Sequence, residues 1–217
     1  MTKFERDLTE IKQEYAAQYQ WEDIKDGKGF VTYYLYATEN SSAVSYKIET
    51  QQCKSAMVTK DTSTAETTLT FYSNGFNLPS TINGIAIFTF CNSLYKTAND
   101  GTGNLTFEIK VYHYDGSTST QLGDTWTSPT QSQENAGWNA KTFSASIDLG
   151  EKLFKVGDQI KVEVKYTPSG GVGFDVAQLG LSPNNRDDTN ANGLQPSTDT
   201  DSTTQFAARI PFRLSFL

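Results

Sequence analysis

The feature that most constrains the fold is an alternation of apolar and polar residues that recurs along the chain after residue 29. It is clearest in "QFAARIPFRLSFL" (residues 205–217), where every even-numbered residue is apolar. The stretch "LTFEIKVYHYDG" (residues 105–116) alternates in the same way. Its predicted inward residues are Leu105, Phe107, Ile109 and Val111. Residues two apart point to the same side of a β-strand, so each stretch predicts a strand with one buried face.

Roughly nine or ten such segments follow one another, separated by turns rich in Gly, Asn, Asp, Ser and Thr. This pattern is typical of an antiparallel jelly roll or β-sandwich. We therefore predict an all-β fold in which residues 27–217 form one jelly-roll β-sandwich domain. Pro211 lies on the outward face of the last segment and lacks an N–H, which predicts an edge strand or a local break in pairing. Residues 124–140 and 182–203 are predicted to be unusually long loops.

The first 26 residues follow a different period. Phe4, Leu8, Ile11 and Tyr15 are spaced by four, three and four residues, which places them on one face of a helix. The opening "TKFE" fits a capping box, a common start of a helix. We predict an N-terminal α-helical arm over residues 1–26. Its apolar stripe either packs on the chain's own domain or docks on a neighbouring subunit, and the sequence leaves both alternatives open.

The charge of the chain argues against two classes of partner. With 25 acidic and 18 basic residues the formal net charge is -7. Nucleic acids and anionic membranes attract clustered Lys and Arg, so we expect neither as a partner. The charged N-terminus does not resemble a signal peptide, and no stretch is apolar enough to span a membrane. We expect synthesis in a cytoplasm.

Few residues of the chain suit catalysis. His113 is the one histidine, and it lies on the predicted inward face of its strand. No G-x-S-x-G motif is present, and Cys53, Cys91 and His113 are too few for a zinc site. We expect a protein that is not an enzyme. The two cysteines are predicted to be buried thiols, although one disulfide is possible.

The stretch "DDTNANGLQPSTD" (residues 187–199) has the spacing of a calcium-binding loop. Its oxygen-bearing side chains at loop positions 1, 3, 5 and 12 are Asp188, Asn190, Asn192 and Asp199. Two charges and a short final Asp predict weak binding at best. Asn and Asp are also favoured in ordinary turns, so a polar turn is the alternative. No other cofactor is expected.

Two tryptophans suggest a second kind of site. Trp126 and Trp138 lie among Ser, Thr, Gln and Asn in the predicted loop at 124–140. An indole beside amide side chains can stack on a sugar ring and hydrogen-bond its hydroxyls. The alternative is that both rings close the ends of the sandwich.

The second half of the chain resembles jelly-roll structural proteins of tailed-phage virions. The resemblance covers residues 103–217 and rests on "LFKVGDQIKVEVKY", "SPNNRD" and the closing "ARIPFRLSFL". It implies an auxiliary or decoration protein, located in the virion, at the capsid or in the head–tail region. Such a protein binds a larger shell protein, such as a major capsid protein, as a homo-oligomer or symmetric array. The stripe of the arm would then anchor the chain in a groove of that partner. The alternative is a carbohydrate-binding module or a receptor-binding piece of a virion.

Overall fold

The structure is a computed structural model that describes residues 28–40, 43–51, 60–99, 101–170, 174–182, 186–187, 195–196 and 205–213. The predicted arm over residues 1–26 lies outside these ranges. Within them the chain forms strands and turns, which confirms the predicted all-β class. No helix in the described ranges is long and apolar enough to cross a membrane.

Fourteen strands lie within the described ranges, and most coincide with the alternating segments. In chain order they are β1 (Lys28–Asn40), β2 (Ala43–Glu49), β3 (Lys60–Ser63), β4 (Thr67–Ser73), β5 (Ser80–Lys96), β6 (Gly103–Tyr114), β7 (Ser119–Thr127), β8 (Gln131–Gln133), β9 (Gly137–Phe154), β10 (Gln159–Gly170), β11 (Phe174–Gly180), β12 (Arg186–Asp187), β13 (Gln195–Pro196) and β14 (Ala207–Arg213). The strands β7, β8 and β9 occupy most of residues 124–140, so the prediction of a long loop there is wrong.

Twelve of these strands form one sheet. Its order is β3-β11-β5-β14-β1-β2-β4-β10-β6-β7, with β9 also paired to β5 and β8 also paired to β6. The short β12 and β13 pair with each other. The strands β2 and β4 run parallel, with Lys47 beside Tyr72 and Ile48 beside Ser73. The other strand pairs of the described residues are antiparallel.

The predicted antiparallel jelly roll is therefore not confirmed in full. A jelly roll has two separate antiparallel sheets, whereas this sheet is continuous and mixed. The reason lies in the connection between β2 and β4, residues 50–66, because parallel neighbours require a chain that crosses back to the other end. Within that connection β3 pairs with β11 instead of with β2 or β4, the strands next to it in sequence.

The sheet folds over on itself so that β5 faces β6 across the core. The ring centroids of Phe90 in β5 and Phe107 in β6 lie 5.2 Å apart, although the two strands share no ladder. Along β6, buried and half-buried residues alternate without interruption, as predicted. Phe206 also packs on Phe90, with centroids 5.3 Å apart. Full burial of a large apolar side chain contributes about 1.5–3 kcal/mol, so these rings are a main source of stability.

The strand β14 has the predicted inward face but not the predicted position. Phe206, Ala208, Ile210 and Phe212 are buried, as the alternation requires. However, β14 lies between β1 and β5, so the prediction of an edge strand is wrong. The alternative, a local break, is confirmed, because the register with β5 shifts between residues 209 and 212. The missing N–H of Pro211 is tolerated where that pairing is interrupted.

On the side of the fold opposite the β2–β4 pair, two strands pack closely against each other without backbone hydrogen-bond pairing. Strands β7 and β9 are neighbours without pairing. Gly123 of β7 has a φ of +66°, and a Cβ at this position would lie 2.0 Å from the Asp148 carbonyl oxygen in β9. No other residue type fits without moving one strand, so this glycine sets how closely the two strands pack.

Two glycine-to-alanine substitutions distinguish the cost of steric crowding from the cost of a left-handed backbone conformation. Gly116, in the β6–β7 turn, has a φ of +91° and no atom within 4 Å of an added Cβ. We expect Gly116→Ala to cost about 1–2 kcal/mol, because only the left-handed backbone is penalised. Gly123→Ala should cost a further ~1–3 kcal/mol because a strand must also shift. Urea unfolding measures both free energies, and equal losses would show that β7 and β9 are not held this closely.

Candidate functional site

One end of the sheet collects the features that we regard as the candidate functional site. The chain enters the sheet at Lys28, which pairs with Arg213; Arg213 pairs with Thr81, and Thr81 pairs with Leu153. We call this end the Lys28 end. Three connections also lie here: residues 74–79, 115–118 and 155–158.

The turn between β9 and β10 is fixed by a buried histidine–carboxylate pair. The Asp158 Oδ2 atom accepts a hydrogen bond from the backbone N–H of Lys155 at 2.7 Å and from His113 Nε2 at 2.6 Å. An ionised carboxylate can only accept, so the His113 ring donates. The edge of that ring packs on Phe154, with centroids 4.7 Å apart. His113 therefore joins β6 to the turn, and its hydrogen bond lowers the pKa of the Asp158 carboxyl.

The loop at residues 74–79 is bound to the same turn. The N–H of Phe76 donates to the Asp158 carbonyl oxygen and the N–H of Gly157 donates to the Phe76 carbonyl oxygen, both at 2.9 Å. Gly75 lies against Gly157, where a Cβ would come within 3.1 Å of the carbonyl oxygen. The ring of Phe76 packs on Phe154 at 5.0 Å between centroids. These contacts fix the position of this loop.

A cleft of about 400 Å³ opens beside that loop. It lies where β2 and β4 separate, beyond their last parallel pair, Ile48 with Ser73. The lining residues come from β1, the end of β2 and the chain that follows, and the end of β4 with its loop. They are Tyr33, Ile48, Glu49, Thr50, Gln51, Ser73, Asn74, Gly75, Phe76 and Asn77.

The lining combines an aromatic floor with a polar rim. Tyr33 is buried and Phe76 is half-buried, and both rings contact Phe212. The amides of Gln51, Asn74 and Asn77 are in exposed residues around the opening. Burial raises the pKa of the Tyr33 hydroxyl, so this group stays protonated and can donate a hydrogen bond.

Three exposed apolar side chains lie at the Lys28 end. Leu78, Leu153 and Val156, which we call the apolar tip, are 73%, 53% and 64% exposed. Ser80 is paired with Phe154, so residues 78 and 156 lie just beyond the end of the β5–β9 ladder and Leu153 lies one residue inside it. Single exposed apolar residues are common, but a group of them marks a surface that can bind a partner.

The structure places the two predicted sugar-binding tryptophans apart from this end. Trp126 is in β7, and its ring packs edge-on against Phe90 and Phe143, with centroids 6.2 and 6.4 Å away. Trp138 is at the start of β9 and lies 4.6 Å from the ring of Tyr95, its neighbour across the β5–β9 ladder. Among the described residues no ring contact joins the two indoles, and sugar binding at either one stays a prediction.

The other predicted site residues lie outside the described residues. These are the stripe Phe4, Leu8, Ile11 and Tyr15 and the calcium candidates Asp188, Asn190, Asn192 and Asp199. The strands β12 and β13 pair on either side of residues 188–194. In the described part of the chain, no three His, Cys, Asp or Glu residues are grouped to hold a metal ion. Cys91 is buried in β5, whereas Cys53 is outside the described ranges.

Sequence reasoning missed the cleft residues. Glu49, Thr50 and Gln51 come from "ETQ", and Asn74 and Asn77 come from "NGFN", two polar segments that each directly follow an alternating strand. One feature of the sequence could have indicated this site: an aromatic residue, Phe76, among residues typical of turns. However, the sequence does not show that β2 and β4 are neighbours, and this pairing is what brings the two segments together.

Comparison with known proteins gives remote similarities only. No protein-family model and no curated protein matches the chain. A CocE/NonD family hydrolase from Staphylococcus aureus is 9% identical, with a TM-score of 0.48, over 83% of this chain and 36% of the hydrolase. An aminopeptidase from a marine sediment Thaumarchaeota archaeon is 8% identical, with a TM-score of 0.49, over 83% of this chain and 36% of the enzyme. A chain of infectious bursal disease virus, Gx strain, is 16% identical, with a TM-score of 0.23, over 81% of this chain and 45% of the viral chain.

These neighbours correct one expectation and leave another unconfirmed. Because the hydrolase and the aminopeptidase are enzymes, they contradict the expectation that the chain is not an enzyme, and we withdraw it. The chain spans about a third of the length of each. The similarity to a viral chain is weak and does not confirm the resemblance to tailed-phage proteins.

The pair of His113 and Asp158 gives a prediction about stability and pH. A carboxyl with a lowered folded-state pKa stabilises the fold above its unfolded pKa of about 3.9. This contribution is lost as the pH falls through the lower, folded-state value. We expect Asp158→Asn to cost about 1.5–3 kcal/mol at neutral pH, the range for a hydrogen bond to a charged group. The difference from the wild type should shrink as the pH falls below about 4.

Urea unfolding at a series of pH values measures this difference. Asp124→Asn is the control for net charge, because it removes an exposed carboxylate with no hydrogen bond to other described residues. A difference for Asp158→Asn that stays constant into the acid range would show that its charge is not what holds the turn.

Proposed function

We propose that the chain is a structural component of a tailed-phage virion, an auxiliary or decoration protein that binds a larger shell protein through its Lys28 end. The observation that carries this proposal is the position of the apolar tip. The chain enters the sheet at Lys28, and the tip is at the same end. The resemblance of residues 103–217 to virion proteins supports the same role.

The distance between Lys28 and Leu153 is short enough for one partner surface to contact both residues. Lys28 and Leu153 are separated by two intervening strands in the row through Arg213 and Thr81. Neighbouring strands are about 4.8 Å apart, so the start of the sheet is roughly 14 Å from Leu153. The predicted arm, residues 1–26 with its apolar stripe, lies before Lys28 in the sequence. One partner surface can therefore contact both the start of the sheet and the tip, and we propose that the stripe docks on the same partner.

The energetics favour an interface here. Exposed Leu and Val side chains lose contact with water when a partner covers them, which contributes about 1.5–3 kcal/mol for each that is fully buried. A few such anchors supply most of the free energy of many interfaces. The folded body brings Leu78, Leu153 and Val156 to the surface in fixed positions, so little ordering is needed on binding.

The test is reassociation of the purified chain with particles that lack it. We expect Leu153→Ser to weaken binding about tenfold or more, since one apolar anchor is lost. Ile85→Ser is the matched control, because Ile85 is also 53% exposed but lies inside the β5–β9 ladder, opposite Asp148 and four residues along β5 from Thr81, the partner of Leu153. The measurement is the number of bound copies per copy of the shell protein after sedimentation.

Further variants extend the test to the rest of the surface. Val156→Ser should also weaken binding, whereas Val44→Ser, which alters a 44% exposed residue in β2, should not. Leu8→Ser with Ile11→Ser tests the stripe in the full-length chain. Equal binding by the Leu153→Ser and Ile85→Ser variants would refute docking through the tip, and no binding by the wild type would refute the proposed role itself.

A further inference from the structure

We infer that the cleft between β2 and β4 is a binding site for an uncharged polyhydroxylated ligand, a neutral glycan. Its volume of about 400 Å³ lies within the range of small-molecule sites. The site differs from the tryptophan sites that the sequence suggests, because neither Trp126 nor Trp138 lines it.

The first support is that the cleft is preformed. The strands β2 and β4 share only two residue pairs and then separate. On one side, Glu49 is still paired with Tyr34 of β1. On the other side, Phe76 is held by its two backbone hydrogen bonds to the 155–158 turn. Both walls are therefore positioned without a ligand, so binding costs little ordering.

The second support is a set of hydrogen-bonding groups with no partner among the described residues. Tyr33 is 9% exposed, and none of the hydrogen bonds of the described chain uses its hydroxyl. The same holds for the side-chain amides of Gln51, Asn74 and Asn77. Because an amide both donates and accepts, it suits sugar hydroxyls, which do the same.

The third support is the aromatic floor. The rings of Tyr33 and Phe76 both rest on Phe212, with centroids 6.4 and 6.0 Å away, and both line the cleft. A sugar ring has an apolar face of C–H groups and an edge of hydroxyls. An aromatic floor below a polar rim matches both at once.

The charge of the lining selects the class of glycan. Among the described residues that line the cleft, Glu49 is the one with a charge. Its carboxylate can accept hydrogen bonds from two neighbouring hydroxyls but repels another carboxylate. Burial keeps Tyr33 protonated, so it adds a donor and no charge. Neutral sugars are therefore favoured over sialylated or uronic-acid-containing ones.

The test is titration of the full-length chain, followed by NMR or calorimetry, with lactose, cellobiose and N,N′-diacetylchitobiose. Sialyllactose is the anionic probe. We expect at least one neutral disaccharide to bind with a dissociation constant of about 1 mM or below. Sialyllactose should bind about tenfold more weakly than lactose, because of Glu49.

Variants locate the site. Tyr33→Phe removes only the hydroxyl, and Asn74→Ala with Asn77→Ala removes two amides; each should weaken binding about tenfold, the cost of losing a hydrogen bond to the ligand. The matched control is Asn135→Ala, an exposed amide at the other end of the sheet, in the turn before β9. An unchanged midpoint of unfolding will confirm that each variant is folded.

Three results would overturn the inference. The first is that none of the neutral disaccharides binds at about 10 mM. The second is that binding is unchanged in the Asn74→Ala, Asn77→Ala variant, and the third is that Trp138→Ala abolishes it while Tyr33→Phe does not. A chain that fails to bind a shell protein can still bind a glycan, because Leu78, Leu153 and Val156 do not line the cleft. The two proposals can thus fail separately.

Discussion

The rest of the structure depends on the contact between the inward faces of β5 and β6. The strand β5 pairs with β9 on one side and with β14 and β11 on the other, and β6 likewise pairs with three strands, β10, β7 and β8. Phe90 of β5 meets Phe107 of β6, which belongs to the far end of the same sheet. Replacing a core Phe by Ala typically costs about 3–5 kcal/mol. Together with other aromatic contacts of the core, such as Phe71 with Phe206, this contact closes the apolar face of the sheet between two layers.

Once the layers are fixed, the two sides of the fold close in different ways. On one side β7 and β9 approach so closely that Gly123 leaves no room for a side chain. On the other side the sheet continues through β2 and β4, which share only two residue pairs. Strands that separate after so short a pairing leave backbone and side-chain polar groups without partners within the sheet. The cleft is the direct result of this short pairing, because the two strands diverge after two residue pairs and leave space between them.

The strands were predictable from the sequence because burial on one face imposes a period of two. The stretches that became β4 and β6 show it throughout, and β10 shows it as far as Tyr166. The pairing was not predictable, since alternation carries no information about which strands are neighbours. The parallel β2–β4 pair and the interior position of β14 were both missed.

Lys96 shows a second limit of prediction from the sequence. It is on the inward face of β5 and fully buried, because its ammonium donates to the carbonyl oxygens of Gly101 and Glu134, which only the fold brings near. The cleft was missed for the same reason, as its two walls are more than twenty residues apart in sequence.

The loop at residues 74–79 connects the two proposed surfaces. Phe76 and Asn77 line the cleft, and Leu78, the next residue, belongs to the apolar tip. Phe76, the residue before Asn77, is hydrogen-bonded to the turn that His113 and Asp158 fix. A partner that covers Leu78 must therefore approach the rim of the cleft at Asn77. We therefore expect the proposed shell binding and the proposed glycan binding to compete unless the partner leaves the opening free.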